Sequence, residues 1–90
     1  MRLDLFLKAS RLAPGRSIAQ RLCEAGLVSI NSKPAKSAHS VKSGDEIEIR
    51  TRTRLLVVRI EAVPAIRNTP RKEAAALYQV IKDERLVDDE

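Results

Sequence analysis

The side chains in this sequence that can do chemistry are few and mostly cationic. One cysteine, Cys23, and one histidine, His39, are present. A lone thiol closes no internal disulfide, and one thiol with one imidazole is no set of metal ligands. The two fall on different segments, with no pairing of nucleophile and base and no glycine-rich phosphate loop. Asp45 and Glu46 are adjacent carboxylates after Gly44, where an aspartate ordinarily bonds its own turn. Catalysis has no footing here, and no cofactor, metal or small-molecule substrate is expected. The cations are the stronger signal. Lys8, Arg11, Arg16, Lys33 and Lys36 precede or follow the breaks between segments. Arg16 opens a helical segment, where unpaired backbone N–H groups and the helix dipole already favour an anion. Brought together, these five would hold phosphate.

Charge and composition narrow the partner. The chain has 90 residues, with 17 Lys and Arg against 12 Asp and Glu. Residues 1–60 carry a net charge of +7, and residues 61–90 carry −2. A basic body with an acidic end suits a polyanion held by the body alone. One Phe, one Tyr and no Trp leave almost nothing to stack on bases, so readers of single strands that depend on stacking are excluded. Lysine, arginine and a helix start hold backbone and shape instead, and folded RNA is the fitting target. Neutralising about five phosphates predicts a slope of log K against log salt of roughly −3.5 to −4.5. No apolar run approaches the roughly 18 residues of a membrane span. The charged opening "MRLDLFLKAS" does not read as a secretory signal, so the cytoplasm is expected.

Positioning these cations requires particular elements. Leu3, Phe6 and Leu7 lie at i, i+3, i+4, one stripe of a short helix with Lys8 and Arg11 outside it. Pro14 breaks that helix. "RSIAQRLCEAG" predicts a second one, burying Ile18, Ala19, Leu22 and Cys23, with Gly26 as its left-handed cap. The period then changes to two. Val28 and Ile30 point inward, Asn31-Ser32 makes a tight turn, and Pro34 marks an edge. Gly44-Asp45 turns into a strand with Ile47 and Ile49 on one face. A hairpin at Thr51–Thr53 leads to "RLLVVRIEAV", a strand rich in β-branched residues. Thr69 would cap a last helix with Pro70 at its first position, and Ala74, Leu77, Tyr78 and Ile81 follow helical spacing. The expected class is α+β: two short N-terminal helices, a small twisted antiparallel sheet of three to five strands, and a C-terminal helix. Residues 1–66 form the binding domain, and residues 67–90 the helix and acidic tail. A helix-turn-helix fits poorly, because the segment after Gly26 alternates in twos and contains Pro34, leaving no recognition helix.

From "RLDLFLKASRL" through "GRSIAQRLCEAGLVSINSKPAK" to "VKSGDEIEI", residues 2–49, the chain resembles the S4 RNA-binding domain family. The family's Arg-Leu-Asp opening is Arg2-Leu3-Asp4, its helix-starting arginine is Arg16, its turn is "GLVSINS", and its next strand opens with "GDEI". Ser32 stands where the family usually has a turn glycine. The resemblance implies RNA contacts from Arg2, Arg16 and Lys33, with Lys8, Arg11, Asn31 and Lys36 around them. Asp4 is expected to stabilise its helix or orient a neighbouring arginine rather than touch RNA. The whole chain is similar to stand-alone bacterial S4 proteins, the ribosome-associated quality control protein P family foremost. That implies binding to the large (50S) ribosomal subunit, with contacts to 23S rRNA and peptidyl-tRNA beside a nascent-chain tailing factor; a monomer is expected. The heat shock protein 15 family, which binds obstructed large subunits, is the nearest alternative. An adaptor working through the C-terminal helix is the alternative from a different class.

Overall fold

The computed structural model describes residues 1–64 and 69–86. Two helices, α1 (Leu3–Ala9) and α2 (Arg16–Glu24), precede the strands β1 (Val28–Ile30), β2 (Lys33–Pro34), β3 (Glu46–Arg50) and β4 (Arg54–Ile60). A helical turn α3 (Arg71–Ala74) and a 3-10 turn (Ala75–Leu77) then lead into β5 (Tyr78–Arg85). The five strands form one sheet in the order β2-β1-β3-β4-β5, antiparallel at every pairing. The class is α+β, as composition and period had indicated. No helix among the described residues is long and apolar enough to cross a membrane.

The core is the meeting of α1 with the inner face of the sheet. Leu3, Phe6 and Leu7 are fully buried, together with Val28, Ile47, Val58 and Ile60 from the strands. Alternation puts Val28 and Ile30, then Ile47 and Ile49, on that face. Side chains of this size each contribute about 1.5–3 kcal/mol when fully buried. The second helix contributes a narrower stripe than its apolar spacing suggests. Ala19 and Cys23 are buried and Leu22 is partly so, but Ile18 is 36% exposed. Small residues at 19 and 23 let α2 sit close to α1, and that leaves Ile18 on the flank.

Two local features fix how the helices end. Gly26, at φ 76°, closes α2 in a Schellman motif, its N–H donating to Cys23 O and that of Leu27 to Leu22 O. Only a residue without a Cβ takes that conformation at no cost. At the start of α1 no side chain caps the helix. Instead the orphan N–H groups of Leu3 and Asp4 donate to the carbonyls of His39 and Ser37, at 2.7 and 3.1 Å. This lashes the 37–40 loop under the helix start.

The C-terminal segment differs from expectation. Helical spacing in Ala74, Leu77, Tyr78 and Ile81 predicts a helix, yet only Arg71–Ala74 is α-helical and Tyr78–Arg85 is a strand on β4. Ala74 and Leu77 are buried as the spacing required, but Ile81 is 42% exposed. Tyr78, Val80 and Ile81 are good strand formers, and the open edge of β4 offers them a ladder that a lone helix lacks. The ladder slips between Val57 and Val58, which pair with Lys82 and Val80 and leave Ile81 as the extra residue of a bulge. Thr69 does not cap α3 either. Pro70 is the N-cap, and Glu73 and Ala74 donate to its carbonyl. The expected division between residues 66 and 67 lies outside the described residues, as do the acidic Asp88, Asp89 and Glu90.

Candidate nucleic-acid interface

At the first turn of α1, Asp4 is buried to 0% exposure. A buried carboxylate is costly unless it is paired and hydrogen-bonded, and Asp4 is both. Arg2 donates from Nε to Oδ1 at 3.1 Å and from Nη2 to Oδ2 at 3.2 Å. From α2, Arg16 Nε donates to Oδ2 at 3.1 Å and Gln20 Nε2 to the same oxygen at 3.0 Å. Burial by itself would raise the Asp4 carboxyl, but the hydrogen bonds from Gln20, Arg16 and Arg2 outweigh it and hold the group below its ordinary value. The two arginine side chains are 43% and 41% exposed. Each is therefore anchored through Nε while part of the guanidinium remains open to solvent. Fixing two arginine forks on one carboxylate removes much of the rotamer entropy that an anion would otherwise have to freeze.

Lys8 and Arg11 lie at the opposite end of α1. Arg11 is in the left-handed region at φ 64°, closing the helix where a glycine is usual. Its Nη2 donates to the carbonyl of Thr69 at 3.3 Å, tying the C-terminal segment to this end of the helix. Between them opens a cleft of about 440 Å³, lined by Lys8, Arg11, Pro14, Thr69 and Arg71 with Ala9 and Ala13 at its floor.

The β1–β2 hairpin carries the remaining candidates. Asn31 at φ 50° and Ser32 at φ 73° make a two-residue turn, tight without a glycine. Asn31 spends its side-chain amide inside the protein, donating to Asp45 Oδ1 at 3.2 Å and accepting from the Glu46 N–H at 3.0 Å. Asp45 is buried and also takes the Lys42 backbone N–H at 3.0 Å. Burial alone would raise its carboxyl, and it is nonetheless held low by that N–H, the Asn31 amide and the Lys42 ammonium. Asp45 is turn chemistry, and Asn31 is the pin between that turn and the hairpin. Lys33 is exposed beside Asn31 and His39 along a shallow groove. Lys36 is exposed over Cys23 and Glu24 of α2.

The seven candidates thus fall into three groups. Arg2 and Arg16 share the Asp4 carboxylate. Lys8 and Arg11 share the cleft. Asn31, Lys33 and Lys36 follow the hairpin and the loop that runs under α1. Sequence reasoning passed over Gln20 and Arg71. The first was within reach, since Gln20 lies four residues after Arg16 and so one turn along the same face. Nothing local marks Arg71, which only the chain's return brings to α1.

This geometry of two short helices, a turn and a sheet with arginines locked on a buried aspartate defines an RNA-binding class of domain. Residues 1–47 match the S4 domain family model, and the chain belongs to the S4 domain family. It is 40% identical over 86 residues to the RQC P-site tRNA stabilizing factor of Bacillus subtilis, covering 96% of this chain and 98% of that one. With the protein of the same name from Halalkalibacterium halodurans it shares 46% identity over 85 residues, 93% of each chain. Among solved structures, the trimeric Vibrio cholerae heat shock protein 15 superposes with a TM-score of 0.79 at 33% identity, covering 89% of this chain and 80% of that one. The solution structure of hypothetical protein HP1423 also gives 0.79, at 32% identity, covering 93% of this chain and all of that one.

Proposed function

We propose that this protein is a non-catalytic clamp for folded RNA that acts in ribosome-associated quality control, holding tRNA on a large ribosomal subunit whose nascent chain has stalled. The observation that carries this reading is the pair of arginines, Arg2 and Arg16, held half-exposed on the buried Asp4 in the matched segment. The names of relatives that align along nearly the whole chain supply the setting. In this reading the protein works as a monomer in the cytoplasm. Its Arg2, Arg16 and Lys33 contact 23S rRNA and the backbone of peptidyl-tRNA, with Lys8, Arg11 and Lys36 adding charge around them. Asn31 serves by shaping the hairpin that presents Lys33. Affinity comes from phosphate neutralisation and shape, because Phe6 is buried in the core and the chain has no Trp to stack on bases.

Affinity purification of the tagged protein from cells tests it. Large subunits carrying tRNA should co-purify with the wild-type protein and be lost from the Arg2→Ala/Arg16→Ala double variant. Recovery of the wild-type protein free of both ribosomal subunits and tRNA defeats the proposal. The likeness to heat shock protein 15 supports a second reading, a binder of obstructed subunits that contributes nothing to tailing. Deleting the gene separates the two: loss of tailed nascent chains favours the first, and unchanged tailing the second. An adaptor built on a C-terminal helix has no such surface to use, since residues 78–85 are bound as a strand to β4.

A further inference from the structure

We propose that the cleft between the end of α1 and the C-terminal segment is a further backbone-phosphate subsite, in which Arg71 joins Lys8 and Arg11 and Thr69 forms the wall. The inference rests on the RNA-binding reading above and extends it to a part of the chain beyond the matched residues 1–47. Of the described residues lining the cleft three are cationic and none is acidic, a lining that favours an anion. The apolar part of the lining is Ala9, Ala13 and Pro14. With no aromatic ring there, the cleft can hold a phosphate and its sugar but cannot stack a base.

Thr69 adds an independent observation. The residue is 7% exposed, and its hydroxyl has no hydrogen-bond partner among the described residues. A buried hydroxyl left unpaired is costly. Its carbonyl is held by Arg11 at 3.3 Å, so the wall is fixed in place while its side-chain donor remains unused. The hydroxyl is closed to solvent in this structure, and an entering phosphate oxygen supplies the missing acceptor once the Thr69 side chain turns toward it.

Position favours RNA over an acidic protein as the occupant. Lys8 follows Asp4 by one helical turn, which puts the cleft roughly 6 Å further along α1 than the carboxylate holding Arg2 and Arg16. That is the scale of the step between neighbouring phosphates on one strand, so a single backbone can run from one group to the other.

The test measures affinity for a full-length tRNA transcript across a range of potassium chloride concentrations. Arg71 is exposed, and its replacement leaves the core untouched. Arg71→Ala should weaken binding about five- to tenfold at low salt and make the slope of log K against log salt shallower by about 0.7–0.9, one phosphate contact. Arg71→Lys should restore most of the loss, and Arg71→Glu should deepen it. Thr69→Val should weaken binding about threefold while leaving thermal stability equal or higher, which a purely structural threonine would not do. Unchanged affinity and slope in Arg71→Ala and Arg71→Glu, with Arg16→Ala still impaired, overturns the subsite and leaves the RNA reading standing. Failure of the wild-type protein to bind tRNA removes both. Binding of poly-glutamate that depends on Arg71, alongside tRNA binding that does not, overturns the subsite in favour of an acidic protein partner.

Discussion

Arg16, the first residue of α2, donates its Nε to the fully buried Asp4 of α1 across 3.1 Å, and this contact joins the two helices at the proposed RNA-binding surface. In the proposed function Asp4, fully buried, acts only through the arginines it holds. Asp4→Asn keeps the shape and the bond from Gln20 but removes the charge that holds both arginines. Loss of those charge-assisted bonds should cost about 1–3 kcal/mol of stability, read by urea denaturation. tRNA affinity should fall as well, because Arg2 and Arg16 are no longer pre-positioned. Full affinity in Asp4→Asn would show that the arginines need no anchor.

Arg16→Ala separates the two roles of that side chain. Arg2 and Gln20 still satisfy the carboxylate, so the fold should lose no more than about 1.5 kcal/mol, while RNA binding weakens by about 1–3 kcal/mol. The comparison of binding and denaturation in one variant decides it. A loss of stability equal to the loss of binding would make Arg16 a structural residue.

Acid should unfold the protein through Asp4 and Asp45. Both carboxyls are held below their ordinary value of 3.8. The unfolded chain therefore takes up these protons first as pH falls. Their stabilisation is complete above the unfolded value and is lost as pH drops through the lower folded values. The denaturation midpoint should be level from about pH 7 to about pH 5 and fall below about pH 4. In the Asp4→Asn/Asp45→Asn double variant that fall should be shallower. A decline beginning near pH 6 would overturn the assignment to these two carboxylates.

Ser32 sits at φ 73° in a turn where glycine is the unstrained choice. Ser32→Gly relieves the left-handed strain at the expense of a more flexible unfolded chain, for a net gain of about 0.5–1 kcal/mol. Thermal melting checks it, and tRNA affinity should not change.

Leu77 tests whether the C-terminal segment is part of the domain. It is 8% exposed within the core, and its carbonyl accepts the N–H of Glu61 at 2.8 Å. Leu77→Ala should cost about 2–4 kcal/mol, measured by denaturation. A negligible effect would return residues 70–86 to the status of an appendage. The same contacts mean that deleting residues 70–90 strips a strand from β4, and a defect in that deletion cannot be assigned to a lost partner.

Local physics in the sequence reached the N-terminal half. Leu3, Phe6 and Leu7 had to share a helical face, Gly26 had to end α2, and Val28, Ile30, Ile47 and Ile49 had to alternate inward, because each of these depends on neighbours a few residues away. The cationic character of the surface was legible for the same reason, since charge is a property of composition. Tertiary structure decided the rest. Whether Tyr78–Arg85 coils or extends depended on the free edge of β4, a partner distant in sequence that no local period encodes. That Ile18 stays at the surface depended on how closely Ala19 and Cys23 let α2 approach α1. Which of the candidate side chains meet was settled by long-range contacts, Asp4 reaching Arg16 and Gln20, and Arg11 reaching Thr69. Hydrogen bonds between residues distant in sequence form only once the core has brought their backbones together.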